Sequence, residues 1–261
     1  VGEAATRLGA THASLVPTQL QRLLTEDSVP ETLQTLRAVL LGGGAMPEAL
    51  LDAAAGAGLP VHTSYGMTEM SSQVSTTPPG ASRATLRTSG RVLAERELRI
   101  SEEGEILVRG HTLFLGYLDG GELRDPTDEG GWFHTGDLGS LDDHGYLRVR
   151  GRVDNMFVSG GENVQPEEIE EALKRLSGVE DAVVVPVADA EFGYRPAAFV
   201  RSGDEVGGET LSRELAAVLP RFMIPADFHP WPDAASTDMK PDRTLLARLA
   251  GEWRGNKDGT G

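Results

Sequence analysis

The chain has 261 residues, with 24 Lys and Arg against 40 Asp and Glu, giving a formal charge of −16 at neutral pH. That balance argues against a nucleic-acid partner. The lack of cysteine excludes disulfides, thiolate metal sites and a cysteine nucleophile. A hydrophobic content of 39% suits a globular chain long enough for two cores, and apolar runs such as 182–188 are far too short to span a bilayer. The start, "VGEAATRLG", lacks the basic and apolar regions of a secretory leader, so cytoplasm is the expected location.

Along the chain, Ala13 to Val16 reads as a strand leading into a helix opened by Pro17, with Leu20, Leu23 and Leu24 on its apolar face. "LRAVLLGGGAMPEALLDAAAGAG" reads as a buried strand, a glycine turn and a helix from Pro47, and the alternation predicts a parallel α/β layer. "LPVHTSYGMTEM" gives a short strand ending in a polar loop. From about residue 86 the pattern becomes β-rich. Leu98 and Ile100, then Ile106 and Val108, alternate around the turn "SEEG" as in a hairpin, and a second hairpin turns at "DDHG". The expected organisation is α/β over 1–85, a β-rich, barrel-like part over 86–153, and a separate α+β domain over 154–261. In the last, Ile169, Leu173 and Leu176 mark one helix face and Leu211, Leu215 and Leu219 another. A last helix is expected around "RTLLARLAGEW", then a disordered end from Arg254.

Several segments carry groups suited to chemistry. "GGGAMP" at 42–47 is either a tight strand-to-helix turn or a place where backbone N–H groups meet a flat ring or an anion. "TSYGMTEMSSQ" at 63–73 is either a polar surface loop or a set of hydroxyls around Glu69, a carboxylate suited to a magnesium ion held largely by phosphate oxygens. In "GWFHTGDLG", Asp137 is either a turn residue or, at a strand start, an acceptor for a ribose diol. His134 has no histidine at metal spacing and reads either as structural or as a support behind a site. Arg152 can donate a fork of hydrogen bonds to ribose or phosphate. Glu167 and Glu168 fit the first turn of a helix. Lys240 and Arg243 lie three apart in a loop before the last helix.

Taken in order, "YGMTE", "GEILVRG" with "LGYL", "GWFHTGDLG", "GRVDN" with "GGENVQPEEIE", and the late Lys240 together resemble the adenylate-forming superfamily of acyl-CoA synthetases, adenylation domains and luciferases. Within it, stretches such as "THASLVPTQLQRLL" and "VPVADAEFGYRPAAFV" resemble most closely its ligases that form aryl-CoA thioesters. The resemblance implies the C-terminal part of a large α/β plus β-barrel-like domain, followed by a small α+β lid domain. It implies ATP, Mg2+ and CoA as co-substrates, a small carboxylic acid as partner, and leaves a homo-oligomer open. It places Gly43, Gly44, Ala45, Tyr65, Gly66, Met67 and Thr68 around the nucleotide, Asp137 and Arg152 on the ribose, and Glu69 on the magnesium. Lys240, with Thr68 and Glu69, would serve adenylation. Asp154 would be the hinge, Ser159, Gly160 and Gly161 would line the CoA channel, and Ser64 and Ser71 would lie near the acyl pocket.

Two departures stand out. The superfamily's glycine-, serine- and threonine-rich phosphate loop, which precedes all of these motifs, is missing from this sequence. The chain alone is therefore expected to be impaired, and a non-catalytic nucleotide-binding module is the reading from a different class. Met239 stands where the family commonly has glycine, although Lys240 and Arg243 keep their spacing.

Overall fold

The computed structural model describes residues 7–25, 31–44, 46–203, 206–232 and 241–258. They form two units, Val1–Arg150 and Gly151–Gly261. Ala45 and Lys240, both assigned roles from the sequence, lie outside the described residues.

In the first unit, β1 (His12–Leu15) leads through Val16 into α1 (Pro17–Thr25). Proline at the first helical position loses no helix hydrogen bond, and Leu20 and Leu23 fall on the buried side. α2 (Glu31–Gln34), β2 (Ala38–Leu41), α3 (Glu48–Gly56) and β3 (Val61–Met67) follow. β1, β2 and β3 pair in parallel, with His12 opposite Ala38 and Val39 opposite Val61. Leu15, Val39, Leu41 and Val61 point from the strands into one apolar cluster with Leu20, Leu33, Leu51 and Ala54. The alternate residues Ser14, Ala38, Leu40 and His62 line a cavity of about 830 Å³ on the opposite face.

The layer is not wholly parallel. A 3-10 turn over Thr68–Met70 reverses β3 into β4 (Ser72–Thr76), and after α4 (Arg83–Leu86) the short β5 (Arg91–Val92) closes the order β1-β2-β3-β4-β5. Both added pairings are antiparallel. The short strand read from the sequence runs to Met67, and the polar stretch after it is a 3-10 turn that leads into a second strand. The hydroxyls of β3 are satisfied inside the sheet: Thr63 Oγ1 donates to the Thr88 carbonyl at 2.6 Å and Ser64 Oγ to the Leu41 carbonyl at 3.1 Å. Polar side chains that find such partners can be buried in a strand.

The β-rich part holds β6 (Arg96–Ile100), β7 (Glu105–Gly110), the ribbon of β8 (Tyr117–Asp119) with β9 (Glu122–Arg124), then β10 (Phe133–Leu141) and β11 (Leu147–Arg152). The main sheet runs β11-β10-β7-β6. The hairpin around "SEEG" is present, with Leu98 paired with Val108 and Ile100 with Ile106. The second turn is fixed by Asp142, whose carboxylate accepts the His144 and Tyr146 N–H groups.

The second unit contains β12 (Phe157–Ser159), β13 (Glu162–Val164), α5 (Pro166–Lys174), β14 (Val179–Asp189), β15 (Gly193–Ser202), α6 (Gly208–Leu215), β16 (Asp227–Pro230) and α7 (Arg243–Asp258). Its sheet runs β13-β12-β15-β14, with β16 parallel to β15. Ala182, Val184, Ala198 and Val200 face the cluster of Ile169, Leu173, Leu211 and Leu215, while Val183, Val185, Ala197 and Phe199 face Leu246 and Ala250. Covering both faces turns the strand pattern into the continuous apolar run "AVVVPVA". α7 runs on to Asp258, past the point where the sequence predicts disorder. Arg254 holds it there through Asp227 (2.8 Å) and the Ala188 carbonyl (3.2 Å). Among the described residues no helix is long and apolar enough to cross a membrane.

Candidate active site

The first unit gathers residues far apart in sequence at the end of β3. Tyr65 is buried in the strand and donates its hydroxyl to Asp137 Oδ2 at 2.7 Å. The two nucleotide candidates, 72 positions apart, thus touch. Asp137 is not at a strand start. It sits in mid-β10, where Thr135, Gly136 and Asp137 all stand between the pairs His134–Leu107 and Leu138–Glu105. Only Ile106 lies opposite these three residues. Such a bulge re-aims a side chain out of the pleat. Thr135 Oγ1 donates to the Ile106 carbonyl at 2.7 Å and accepts the Asp137 N–H at 3.0 Å. Gly136 takes φ +70°, a left-handed conformation that glycine adopts without a Cβ penalty.

The glycine turn after β2 lies against β3. A Cβ on Gly42 would come 2.8 Å from Ser64 Oγ, whereas one on Gly44 would meet nothing within 4 Å. The open side of Gly44 is thus a place where backbone can approach a ligand. Gly66 is closed in by the reversing strand, since a Cβ there would fall 2.2 Å from the Ser72 carbonyl oxygen. Met67 packs on the cluster formed by Tyr65, Met70, Ile106 and Phe133.

Thr68 is exposed in the 3-10 turn, and Glu69 beside it is half-buried. The Glu69 carbonyl accepts the Phe114 N–H at 2.7 Å, and its Oε1 accepts the Tyr117 hydroxyl at 2.9 Å. Partial burial, then the hydrogen bond to Glu69, raises the pKa of Tyr117. Among the described residues no three His, Asp or Glu side chains are placed to hold a metal. A magnesium ion here would therefore rest on one protein carboxylate and on phosphate oxygens, the habit of an ion that keeps most of its other ligands from water and substrate. Ser71, at φ +60°, donates Oγ to the Thr112 carbonyl at 2.9 Å and ties this turn to the 111–114 segment. Ser64 and Ser71 are thus both engaged in holding backbone. Among the described residues, none of the nucleotide candidates from the sequence lines the 830 Å³ cavity.

His134 meets two carboxylates. Its Nδ1 lies 2.9 Å from Glu105 Oε2 and its Nε2 3.6 Å from Asp128 Oδ2. The Glu105 hydrogen bond raises its pKa, and the charges of Glu105 and Asp128 add to the effect.

In the second unit, Arg152 ends β11 and its guanidinium lies 3.4 Å from Asp154. Asp154 is in a 3-10 turn over Val153–Asn155 with its side chain 78% exposed, so no packing holds it. The Gln165 side-chain amide donates to the Arg152 carbonyl at 3.1 Å. Gly160 and Gly161, at φ +59° and +90°, form the two-residue turn of the β12–β13 hairpin, the backbone such a turn demands. Ser159 is buried, and the Gly160 N–H donates to the Phe192 carbonyl at 2.9 Å.

Glu167 and Arg243 take part in more than their sequence context shows. Glu167 accepts from Asn155 and Gln165, which fastens the helix start to the 153–155 turn. Arg243 is not in a loop but opens α7. It lies 2.8 Å from Glu170, 3.3 Å from Glu167 and 2.7 Å from the Val184 carbonyl. Glu170 is buried, which pushes its pKa up, while Arg243 pulls it back.

Residues 2–118 match the family model described as AMP-binding enzyme, and residues 168–238 match the one described as AMP-binding enzyme C-terminal domain. A 2-succinylbenzoate–CoA ligase of Salmonella typhimurium is 42% identical over 83% of this chain and 46% of its own length. One from a Geobacillus strain is 37% identical over 84% and 47%. The chain thus spans about half the length of the curated relatives it matches. Among solved structures, an E. coli MenE variant with bound OSB-AMS superposes with a TM-score of 0.82 at 36% identity, covering 94% of this chain and 52% of that one. The o-succinylbenzoate CoA synthetase of Bacillus subtilis, in complex with the acyl-adenylate OSB-AMP, gives 0.80 at 34%, with the same coverage.

Proposed function

Since the chain belongs to the AMP-binding enzyme family, we propose that it forms the later part of an AMP-forming carboxylate–CoA ligase. The whole protein would convert o-succinylbenzoate, ATP and CoA to o-succinylbenzoyl-CoA, AMP and pyrophosphate, a step of menaquinone biosynthesis. The observation that carries this reading is the Tyr65–Asp137 contact at 2.7 Å, which joins an aromatic wall to a carboxylate beside the Thr68–Glu69 turn. An aromatic face suits adenine, and a carboxylate is an acceptor of the kind a ribose diol needs.

In the first half-reaction the acid's carboxylate oxygen attacks the α-phosphorus of ATP, and pyrophosphate leaves. Thr68 would donate to a phosphate oxygen. Glu69 would hold the magnesium ion, which supplies charge neutralisation on the phosphates. Lys240, assigned from the sequence, would stabilise the charge that develops between carboxylate and phosphate. In the second half-reaction the CoA thiol displaces AMP from the acyl carbon. Ser159, Gly160 and Gly161 would line the path of the pantetheine arm. Arg152 is assigned to the ribose, and the exposed Asp154 is assigned as the hinge of a mobile small domain whose movement exchanges the two steps. Barrel-like closure of the β-rich part belongs to the same reading, as does a cytoplasmic location.

The test joins this chain to the amino-terminal half that its relatives carry and measures pyrophosphate release. The acids compared are o-succinylbenzoate, benzoate and fatty acids, with and without CoA. Release with o-succinylbenzoate is expected. Release with another acid alone would move the assignment to a different acyl-CoA synthetase, and no release with any acid would favour a non-catalytic nucleotide-binding module.

A further inference from the structure

We propose that Glu105 is the positioning residue that fixes Asp137 for the ribose. Both oxygens of its mostly buried carboxylate act on the stretch that presents Asp137: Oε1 accepts the Gly136 N–H at 2.9 Å and Oε2 meets His134 Nδ1 at 2.9 Å. The bulge at 135–137 leaves the ladder without its regular cross-strand bonds. A side chain from the neighbouring strand supplies what the ladder has lost. Glu105 clamps the residues on the amino-terminal side, Thr135 clamps the Asp137 N–H, and Tyr65 meets the carboxylate itself. Of these contacts, only that of Tyr65 is made by a group that would touch the nucleotide. Glu105 acts one layer behind, by holding Gly136 at φ +70°. Loss of that anchor lets the bulge relax towards regular pairing, which turns the Asp137 side chain away from Tyr65.

This inference rests on the assignment of Asp137 to the ribose diol, and the experiment separates the two. Calorimetry on the chain compares AMP with 2′,3′-dideoxy-AMP for wild type, Glu105→Ala and Glu105→Gln. Wild type is expected to favour AMP by about tenfold, the scale of one hydrogen bond to a charged group. Glu105→Ala is expected to lose that preference while its affinity for dideoxy-AMP stays within about twofold of wild type. Glu105→Gln keeps an acceptor for the Gly136 N–H and is expected to restore most of the preference. Equal weakening of both ligands in Glu105→Ala, or no change for either, overturns the positioning role. Should Glu105→Ala fail to fold, Glu105→Leu combined with hydrogen exchange of residues 133–139 decides. Faster exchange there together with a reduced AMP preference supports the role, and unchanged exchange with the preference retained contradicts it. If wild type binds both nucleotides equally, or neither, the assignment of Asp137 fails and the inference falls with it.

Discussion

Replacing Arg243 by Met should unfold the second unit more readily than any surface change, and it should do so in a pH-dependent way. Arg243 lies 2.8 Å from Glu170, whose side chain is 10% exposed, and also engages Glu167 and the Val184 carbonyl. Removing it leaves Glu170 buried with the Val184 N–H as its remaining neutral donor, at 2.8 Å. Stripping one partner from a buried ion pair costs about 3–5 kcal/mol, most of it the penalty of the charge left behind. That charge can escape by taking up a proton. Burial already holds the folded-state pKa of Glu170 above its usual value, and losing Arg243, the main opposing influence, raises it further. A raised folded pKa stabilises the protonated form. The deficit should therefore be small below the unfolded value of about 4.3 and should grow as pH rises through the raised folded value. Urea denaturation followed by Trp231 and Trp253, in a Trp132→Phe background, reads the second unit alone. Replacing both partners, Arg243→Met with Glu170→Leu, should recover much of the loss, because no charge is then stranded. A deficit under about 1 kcal/mol at pH 7, or one that does not shrink in acid, would refute the reasoning.

Gly66→Ala should destabilise the first unit by about 2 kcal/mol, because its Cβ would meet the Ser72 backbone, whereas Gly44→Ala should change stability by under about 0.5 kcal/mol; thermal melts of the two variants decide. The His134 ring should titrate above about 6.5 by NMR, so its pairing with Glu105 is fully present below that pH and is lost as pH rises through the folded value. Glu105→Gln should bring the midpoint down, and an unmoved midpoint would assign the shift to Asp128 instead. In the protein joined to its relatives' amino-terminal half, Lys240→Ala should lose adenylation yet still convert supplied acyl-adenylate to thioester; equal loss of both steps would count against separate roles in the two half-reactions.

Local periodicity carried the elements well. The hairpin holding Leu98 and Val108, the Pro17 helix and the faces through Ile169 and Leu211 follow from spacings of two and of three or four. The strand β3 was legible, but its extent through Thr63 and Ser64 was not, because hydroxyl residues fit a strand only once their partners, Thr88 and Leu41, are known. The bulge at Asp137 has no local signature, since it depends on Glu105 some 31 residues from Gly136. The same holds for Tyr117 on Glu69 and for Arg243 on Glu170, separated by 48 and 73 positions. The motifs pointed to individual side chains, but which of them share a hydrogen bond is decided by strand pairing and helix packing, and single-sequence spacing does not record that. Glu105 could have been noticed, because it stands in "GEILVRG" as an acid directly before the apolar run Ile106–Val108.

The proposed role of this chain, acyl transfer through an adenylate as part of a longer protein, is open to a direct test. The most direct measurement is mass spectrometry of the products formed by the joined protein from o-succinylbenzoate and ATP, first without CoA and then with it. The account predicts the acyl-adenylate and pyrophosphate in the first case, and the acyl-CoA and AMP in the second. Formation of ADP and phosphate, or a thioester appearing with no adenylate before it, would contradict it.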